Sequence, residues 1–242
     1  MSSHDDTPLW SAFCRCEELT QREGMEMCLL LMKHFEGVDE AQFETDLRQK
    51  THVLRIWKKH ELVGFSTLKA YSKEVEDQTM NFLYSGDTIM SPECWNSPIL
   101  ARRWIAMVLE IQRSMPEGRC WWLLLSAGFR TYRYLPVFWR HFWPRFDEPM
   151  PSDIRRLRDQ LARENFGECF EPNAGIVRFP FPHRLRSELA EVPDTKRKDE
   201  HVAYFLDQNP GWIAGDEWVC LTEISETNLT PVGRRMVRGL NQ

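Results

Sequence analysis

The stretch Leu83-Tyr84-Ser85-Gly86-Asp87-Thr88-Ile89-Met90, followed by Ser91-Pro92-Glu93-Cys94-Trp95-Asn96 and then Ser97-Pro98, decides the fold. The first eight residues read as the end of a strand covering roughly 80–90, and the next six as an irregular loop. Ser97-Pro98 reads as a helix start, with serine as N-cap and proline at the first helical position, where its missing N–H costs nothing. Leu100, Trp104, Val108, Ile111 and Met115 then make one apolar stripe, with Arg102, Arg103, Glu110 and Arg113 on other faces. Pro116-Glu117-Gly118 stops the helix. Trp121-Trp122-Leu123-Leu124-Leu125 is the unbroken apolar run expected of a strand buried on both faces. Strand, helix and strand in this order predict a parallel pair with a right-handed crossover. The loop and helix N-terminus then lie beside a strand's carboxyl end, where α/β folds hold ligands.

Toward the N-terminus, a polar arm leads to a first strand near Trp10–Cys16. Thr20-Gln21-Arg22-Glu23 is a capping-box pattern, and Met25, Cys28, Leu29, Met32 and Phe35 follow at helical spacing. Asp39 caps a second, short helix, with Val38 and Phe43 as its hydrophobic staple. Val53–Trp57 and Leu62–Leu68 read as an antiparallel hairpin. Residues 70–78 read as a solvated, acidic connection.

Toward the C-terminus, Tyr132–Trp143 reads as an aromatic helix that Pro144 ends. A charged helix capped by Ser152 follows, then a strand over Gly175–Phe179. Val202–Leu206 fits helix or strand, Trp218–Leu221 a last strand and Thr230–Leu240 a basic terminal helix. The natural division is a core at residues 1–150 and an extension at 151–242 packed on it.

The chain has 242 residues, 42% apolar and 28% charged, which suits a folded, water-soluble protein. A net charge of −5 gives no general basic footprint for nucleic acid. No apolar run reaches the length of a membrane span, and the acidic start Met1-Ser2-Ser3-His4-Asp5-Asp6 is unlike a leader peptide. The odd count of seven scattered cysteines predicts reduced thiols and a cytoplasmic setting. Nothing in the His, Cys and Asp spacing suggests a metal. Ten tryptophans and fourteen phenylalanines predict a thick aromatic core.

The element order β–α–α–β–β–β–α–β–α resembles the GNAT superfamily of acyltransferases over roughly residues 10–147. Leu62-Val63-Gly64-Phe65 is similar to that family's I-V-G-F third strand. Asp87–Pro92 is similar to its fourth strand, where V-x-P precedes the coenzyme A loop, and the helices from Ile99 and Tyr132 stand where it has its third and fourth. The resemblance implies an α/β (α+β) fold: a GNAT-like mixed central sheet with flanking helices, here with a C-terminal extension. The pyrophosphate loop departs from the family form Q/R-x-x-G-x-G/A. Trp95 stands for the arginine, and Asn96 and Pro98 for glycines. Near Phe138-Trp139 the family's tyrosine is absent, and Pro144 replaces a glycine.

The resemblance implies acyl transfer from a thioester, or another activated donor, to the amine of a small molecule, with specialised metabolism as the expected setting. Its base would be Asp87, the nearest carboxylate; capping a bulge at Gly86 is an equally weighted use of that aspartate. Tyr132 and Tyr134 are the candidate acids and His141 a candidate acid or base, with core packing and a satisfied structural histidine as their ordinary alternatives. An acyl-coenzyme A would meet Ile89, Met90, Ser91, Trp95, Asn96, Ser97, Arg102, Ser126 and Arg133. An arginine-rich stretch from Arg130 to Arg163, interspersed with acids, reads as a solvated helix face or as a patch for a larger donor such as a carrier protein or aminoacyl-tRNA. The rival reading is a binding or scaffold protein that kept the fold without the chemistry.

Overall fold

The structure is a computed structural model and describes residues 7–238. The first six residues, and the end of the terminal helix expected to reach Leu240, lie outside them. Strand β1 (Leu9–Arg15) leads into helix α1 (Gln21–His34). The capping box forms as the sequence predicts: Thr20 Oγ1 accepts from Glu23 N–H at 3.3 Å, and Glu23 accepts from Thr20 N–H at 2.8 Å. A short strand β2 (Phe35–Glu36) follows, then α2 (Glu40–Leu47), which Asp39 caps through Gln42 N–H at 2.8 Å.

Strands β3 (His52–Lys58) and β4 (Glu61–Val75) pair antiparallel, as do β4 and β5 (Gln78–Met90). Both β4 and β5 run past the expected solvated connection at 70–78. Glu76 and Asp77 take positive φ, 50° and 61°, and turn the chain in two residues. Paired left-handed residues match the twist of a hairpin, and the acidic composition hid that turn. Across it Tyr71 stacks on Phe82 with ring centres 5.4 Å apart, which gives these outer residues a reason to stay in the sheet.

Helix α3 (Ile99–Ser114) joins β5 to β6 (Cys120–Ser126), and the two strands are parallel. It starts one residue later than read: Pro98 is the N-cap, and Ser97 Oγ accepts from Ile99 N–H at 3.3 Å. Every residue of β6 is buried, as the apolar run demands. The expected aromatic helix at 132–143 is instead two short helices, α4 (Phe129–Tyr132) and α5 (Tyr134–Phe138), and a strand β7 (Phe142–Trp143). Trp139 turns extended and bridges Leu229, so the aromatic run is drawn onto the sheet.

The last third adds α6 (Ser152–Phe166), β8 (Phe170–Glu171), β9 (Ile176–Val177) and β10 (Arg184–Leu185). After these come α7 (Asp194–Arg197), α8 (Glu200–Gln208), β11 (Glu217–Glu223) and α9 (Pro231–Val237). The strand over Gly175–Phe179 shrinks to β9, and Val202–Leu206 resolves as helix. The nine strands of the main sheet run β1-β3-β4-β5-β6-β11-β9-β8, with β7 beside β11. β11 is antiparallel to β6 over six residue pairs, so the extension completes the sheet of the core.

Alternation along the strands sorts two faces. Leu83, Trp122, Leu124 and Trp218 face α3, α5 and α8. Phe82, Trp121, Leu123 and Val219 face α6, while Val53, Phe65 and Ile89 face α1 and α2. Trp104 of α3 sits 4.2 Å from Trp122, ring centre to ring centre. A fully buried large side chain contributes about 1.5–3 kcal/mol, so these layers dominate the stability.

Candidate functional site

The parallel pairing of β5 and β6 ends at Ser85 opposite Leu124, although β5 continues to Met90 and β6 to Ser126. The sheet forks there. At the same place β5 carries a bulge: Leu68 faces Ser85 and Ser66 faces Thr88, so Gly86 and Asp87 together oppose Thr67. A bulge re-aims side chains and is a common device beside active sites. A Cβ on Gly86 would lie 2.6 Å from Thr67 Oγ1 and inside Lys50 Cε, so only glycine lets these groups close in.

Asp87, two residues before Ile89, points toward the α1–α2 face. His183, just ahead of β10, lies with Nδ1 at 3.7 Å from Asp87 Oδ1. The Asp87 carboxylate raises the His183 imidazole above its usual range, against the opposing effect of burial. Glu217 at the start of β11 is pushed up to about 7, first by burial, then by the charge of Asp87, with His183 opposing. Lys50 is buried, with Nζ 2.6 Å from both Asp46 carboxylate oxygens and 5.1 Å from the centre of the Tyr84 ring. Thr67 Oγ1 is buried and has no hydrogen-bond partner among the described residues. Burial and mutual charge drive Tyr84 well above the ordinary phenol range. A cavity of about 420 Å³ between α1 and α2, floored by Leu19, Met25, Phe43 and Leu47, ends at Lys50. Partly buried titratable groups that perturb one another are a signature of functional sites.

The opposite face of the fork is closed by apolar groups. Trp95 Nε1 donates to Met90 O at 2.7 Å, and the Arg130 guanidinium lies 4.1 Å from the centre of the Trp95 ring. Arg130 Nη1 also donates to Leu189 O at 3.1 Å, tying the loop to the extension. Phe129, Phe205, Trp212 and Trp218 fill the space behind, with Phe205 6.4 Å from Trp212 and 6.1 Å from Trp218 between ring centres.

The sequence candidates separate accordingly. Asp87 is in the charged cluster. Ile89 and Met90 are buried strand residues; Ser91 is buried, with Oγ 3.5 Å from His34 Nε2. Trp95, Asn96 and Ser97 lie in the loop. Arg102 reaches Met236 O at 3.4 Å, Arg133 pairs with Asp199 at 3.2 Å, and Ser126 Oγ meets Cys220 Sγ at 3.6 Å. None of these three reaches Asp87. Tyr132 is fully buried and donates to Pro144 O at 2.9 Å, so its hydroxyl is already committed. Burial raises the phenols of both Tyr132 and Tyr134, and Tyr134 packs edge-on to Phe138 at 5.5 Å. His141 is exposed; its backbone N–H donates to Asn228 Oδ1 at 2.9 Å and its carbonyl accepts from Thr222 Oγ1 at 2.7 Å. The fork therefore gathers Asp87 but neither tyrosine nor His141.

His183, Glu217, Lys50 and Asp46 were not among the sequence candidates. Glu217 had a signal: it is a carboxylate entering the apolar run Trp218–Leu221. His183, between Pro182 and Arg184, had none.

The loop before α3 does not suit a pyrophosphate. Cys94 N–H donates to Ser91 O, Trp95 N–H to Pro92 O and Ser97 N–H to Cys94 O, at 2.8, 3.2 and 3.0 Å. Ile99 N–H is taken by Ser97 Oγ, Pro92 and Pro98 have no N–H, and Glu93 adds a like charge. A phosphate seat at a helix N-terminus needs such groups free. The loop thus lacks the family's glycine-rich set of donors, although the N–H groups of Leu100 and Ala101 at the start of α3 have no acceptor among the described residues.

Among the described residues, no group of three or more His, Cys, Asp or Glu is placed to hold a metal, and no helix is long and apolar enough to cross a membrane. All seven cysteines are free.

No protein-family model matches the sequence, and no curated protein matches it. Solved structures do resemble it. A probable N-acyltransferase from Enterococcus faecalis V583 is 13% identical with a TM-score of 0.40, over 51% of this chain and 31% of that one. A GCN5-related N-acetyltransferase from Kribbella flavida is 16% identical with a TM-score of 0.39, over 56% and 34%. A ribosomal-protein-alanine N-acetyltransferase from Brucella melitensis biovar Abortus 2308 is 16% identical with a TM-score of 0.37, over 64% and 90%. The chain spans about a third of the length of the first two. Overlays this loose carry no argument. The fold is α/β, a mixed sheet flanked by helices with a parallel β5/β6 pair, and its elements follow the GNAT-like order expected from the sequence.

Proposed function

We propose that the protein is an acyltransferase acting on an amine at the charged side of the fork. The observation that carries this reading is Asp87. It is turned out by the bulge where β5 leaves β6 and lies 3.7 Å from His183, and burial and its charge together raise Glu217. The acceptor's cationic nitrogen faces Asp87, and its body extends toward the cavity between α1 and α2 that reaches Lys50. Asp87 with His183 removes the ammonium proton and releases it to solvent, then takes the second proton as the nitrogen attacks the acyl carbon. The C–N bond forms, and the bond from the acyl carbon to its carrier breaks. Glu217, held protonated toward neutral pH, is placed to protonate the departing group. No step depends on a pyrophosphate seat, so the donor is an activated acyl group whose carrier is recognised elsewhere.

The spent loop N–H groups and the rings behind the fork favour a second reading, a binding protein that kept this fold. Two further findings bear on aminoacyl-tRNA as donor. Arg130, Arg133 and Arg140 are tied to Leu189 O, Asp199 and Leu229 O, and Arg145 to Asp147 and Glu148. The part of the arginine stretch from Arg130 to Arg145 is thus engaged by protein groups, which leaves its phosphate-binding capacity to the arginines of α6.

The test is amine acylation with two donors, acetyl-coenzyme A and the truncated thioester acetyl-N-acetylcysteamine, which lacks the pyrophosphate. Turnover is expected with the truncated donor, and Asp87→Asn should reduce it about a hundredfold or more, with the melting temperature unchanged. Equal turnover in Asp87→Asn removes Asp87 from the mechanism. No turnover from either donor across an amine panel moves the protein to the binding reading.

A further inference from the structure

The outer edge of β11 is covered in two pieces. β7 pairs with Leu221 and Thr222, and β9 with Glu217 and Trp218. The chain leaving β7 and the turn entering β9 stand apart, and a cavity of about 470 Å³ opens between them. It lies away from Asp87, and the acyl-transfer reading makes no use of it.

The cavity has a buried cation with an open edge. Arg158 of α6 is 4% exposed and lines it. Its Nε and Nη2 donate to Asp159 Oδ1 at 2.8 and 2.6 Å, and Nη2 is 3.5 Å from Pro172 O. Nη1 has no protein partner among the described residues. The turn is shaped around it: Gly175 has φ +68°, and a Cβ there would stand 2.8 Å from Nη1. Arg155, one turn earlier on the same helix face, lines the cavity, is exposed, and makes no ion pair among the described residues. Arg145, across the cavity, is already held by Asp147 at 2.5 and 2.6 Å and by Glu148 at 3.7 Å. Tyr204 and Trp218 supply apolar wall, 5.4 Å apart between ring centres.

We propose that this cavity binds a small oxyanion-bearing ligand, its carboxylate or phosphate seated between Arg155 and the free Nη1 edge of Arg158, and its apolar part against Tyr204 and Trp218. A guanidinium offers paired N–H donors in one plane, which suits either oxyanion. Asp159 neutralises one side of Arg158 and keeps it folded in place; the other side still has donors to satisfy.

The test uses the full chain with inorganic phosphate, pyrophosphate and benzoate at millimolar concentration, against sodium chloride of matched ionic strength. Melting temperature and calorimetric heat are read for the wild type, Arg155→Gln and Tyr204→Ala. An oxyanion should raise the wild-type melting temperature above the chloride control, and Arg155→Gln should lose that rise. In Tyr204→Ala the benzoate response should fall while phosphate is retained, if the ligand is an aromatic carboxylate; a response to phosphate or pyrophosphate alone assigns a phosphate ligand. No rise in the wild type, or an equal rise in Arg155→Gln, overturns the site. Arg155 is exposed, so its substitution leaves folding intact where Arg158→Gln would not.

Discussion

The two faces of the fork between β5 and β6 are built from opposite materials. On the α1–α2 face Asp87 lies 3.7 Å from His183, and burial and the Asp87 charge together raise Glu217, with buried Lys50, paired to Asp46, nearby. On the other face Trp95 caps the Met90 carbonyl, and Phe129, Phe205 and Trp212 close the space. Both sets come partly from the last third of the chain, which crosses the fork. Burying charge without full pairing is costly, whereas burying rings is favourable. The filled face therefore contributes stability, and the charged face is retained at some cost to stability, as a site of chemistry would be.

The largest effect that separates the faces comes from the filled one. Phe205 is fully buried against Tyr132, at 5.7 Å between ring centres, and against Trp212 and Trp218. Phe205→Ala should cost about 3–5 kcal/mol in urea denaturation. A cost below about 1 kcal/mol would mean the rings are loosely placed and the face is not a core.

On the charged face the test is pH. Glu217 holds its proton more tightly folded, at about 7, than at its ordinary value of 4.5. That contribution to stability is complete below 4.5 and drains away as pH rises to about 7. His183 is also raised, so its contribution is whole below 6.5 and is lost as pH rises through its higher folded value. The wild type's stability advantage over Glu217→Gln should shrink as pH rises from about 4.5 to about 7, while His34, His52 and His201, lowered by burial, pull the absolute melting temperature the other way equally in both proteins. Identical slopes for the two proteins would show that Glu217 is solvated in the native state. Glu23, lowered to about 2 chiefly by its bond to Arg55, acts below this window and leaves the comparison clear.

The same contrast marks how far the sequence could be read. Thr20 with Glu23, Asp39 with Gln42, and the apolar run of β6 are local signals, and each formed where its pattern stood. The bulge weighed at Gly86 is likewise a property of a few residues, and it is present. Tyr132 shows the limit. It has the composition of a catalytic acid or of a core residue, and much of what buries it, His201, Phe205 and Trp218, lies far along the chain. His183 reaches Asp87 because β10 pairs with β2, a ladder of two residues that no periodicity announces. Sites assembled by such long-range contacts are invisible to spacing rules, which see one element at a time.

The smallest effect asks whether the filled face is a wall or a gate. Trp95→Phe keeps a ring against Arg130 and removes only the 2.7 Å bond from Nε1 to Met90 O. The expected cost is about 1 kcal/mol in denaturant unfolding. Coenzyme A should still give no melting shift in this variant. The N–H groups of Cys94, Trp95 and Ser97 stay engaged in their own turn, so nothing new faces a pyrophosphate. A clear shift would mean that one indole had been closing a competent donor groove. The contrast between the faces would then describe a closed state of an ordinary coenzyme A enzyme, and Asp87 would be reached by the donor from behind.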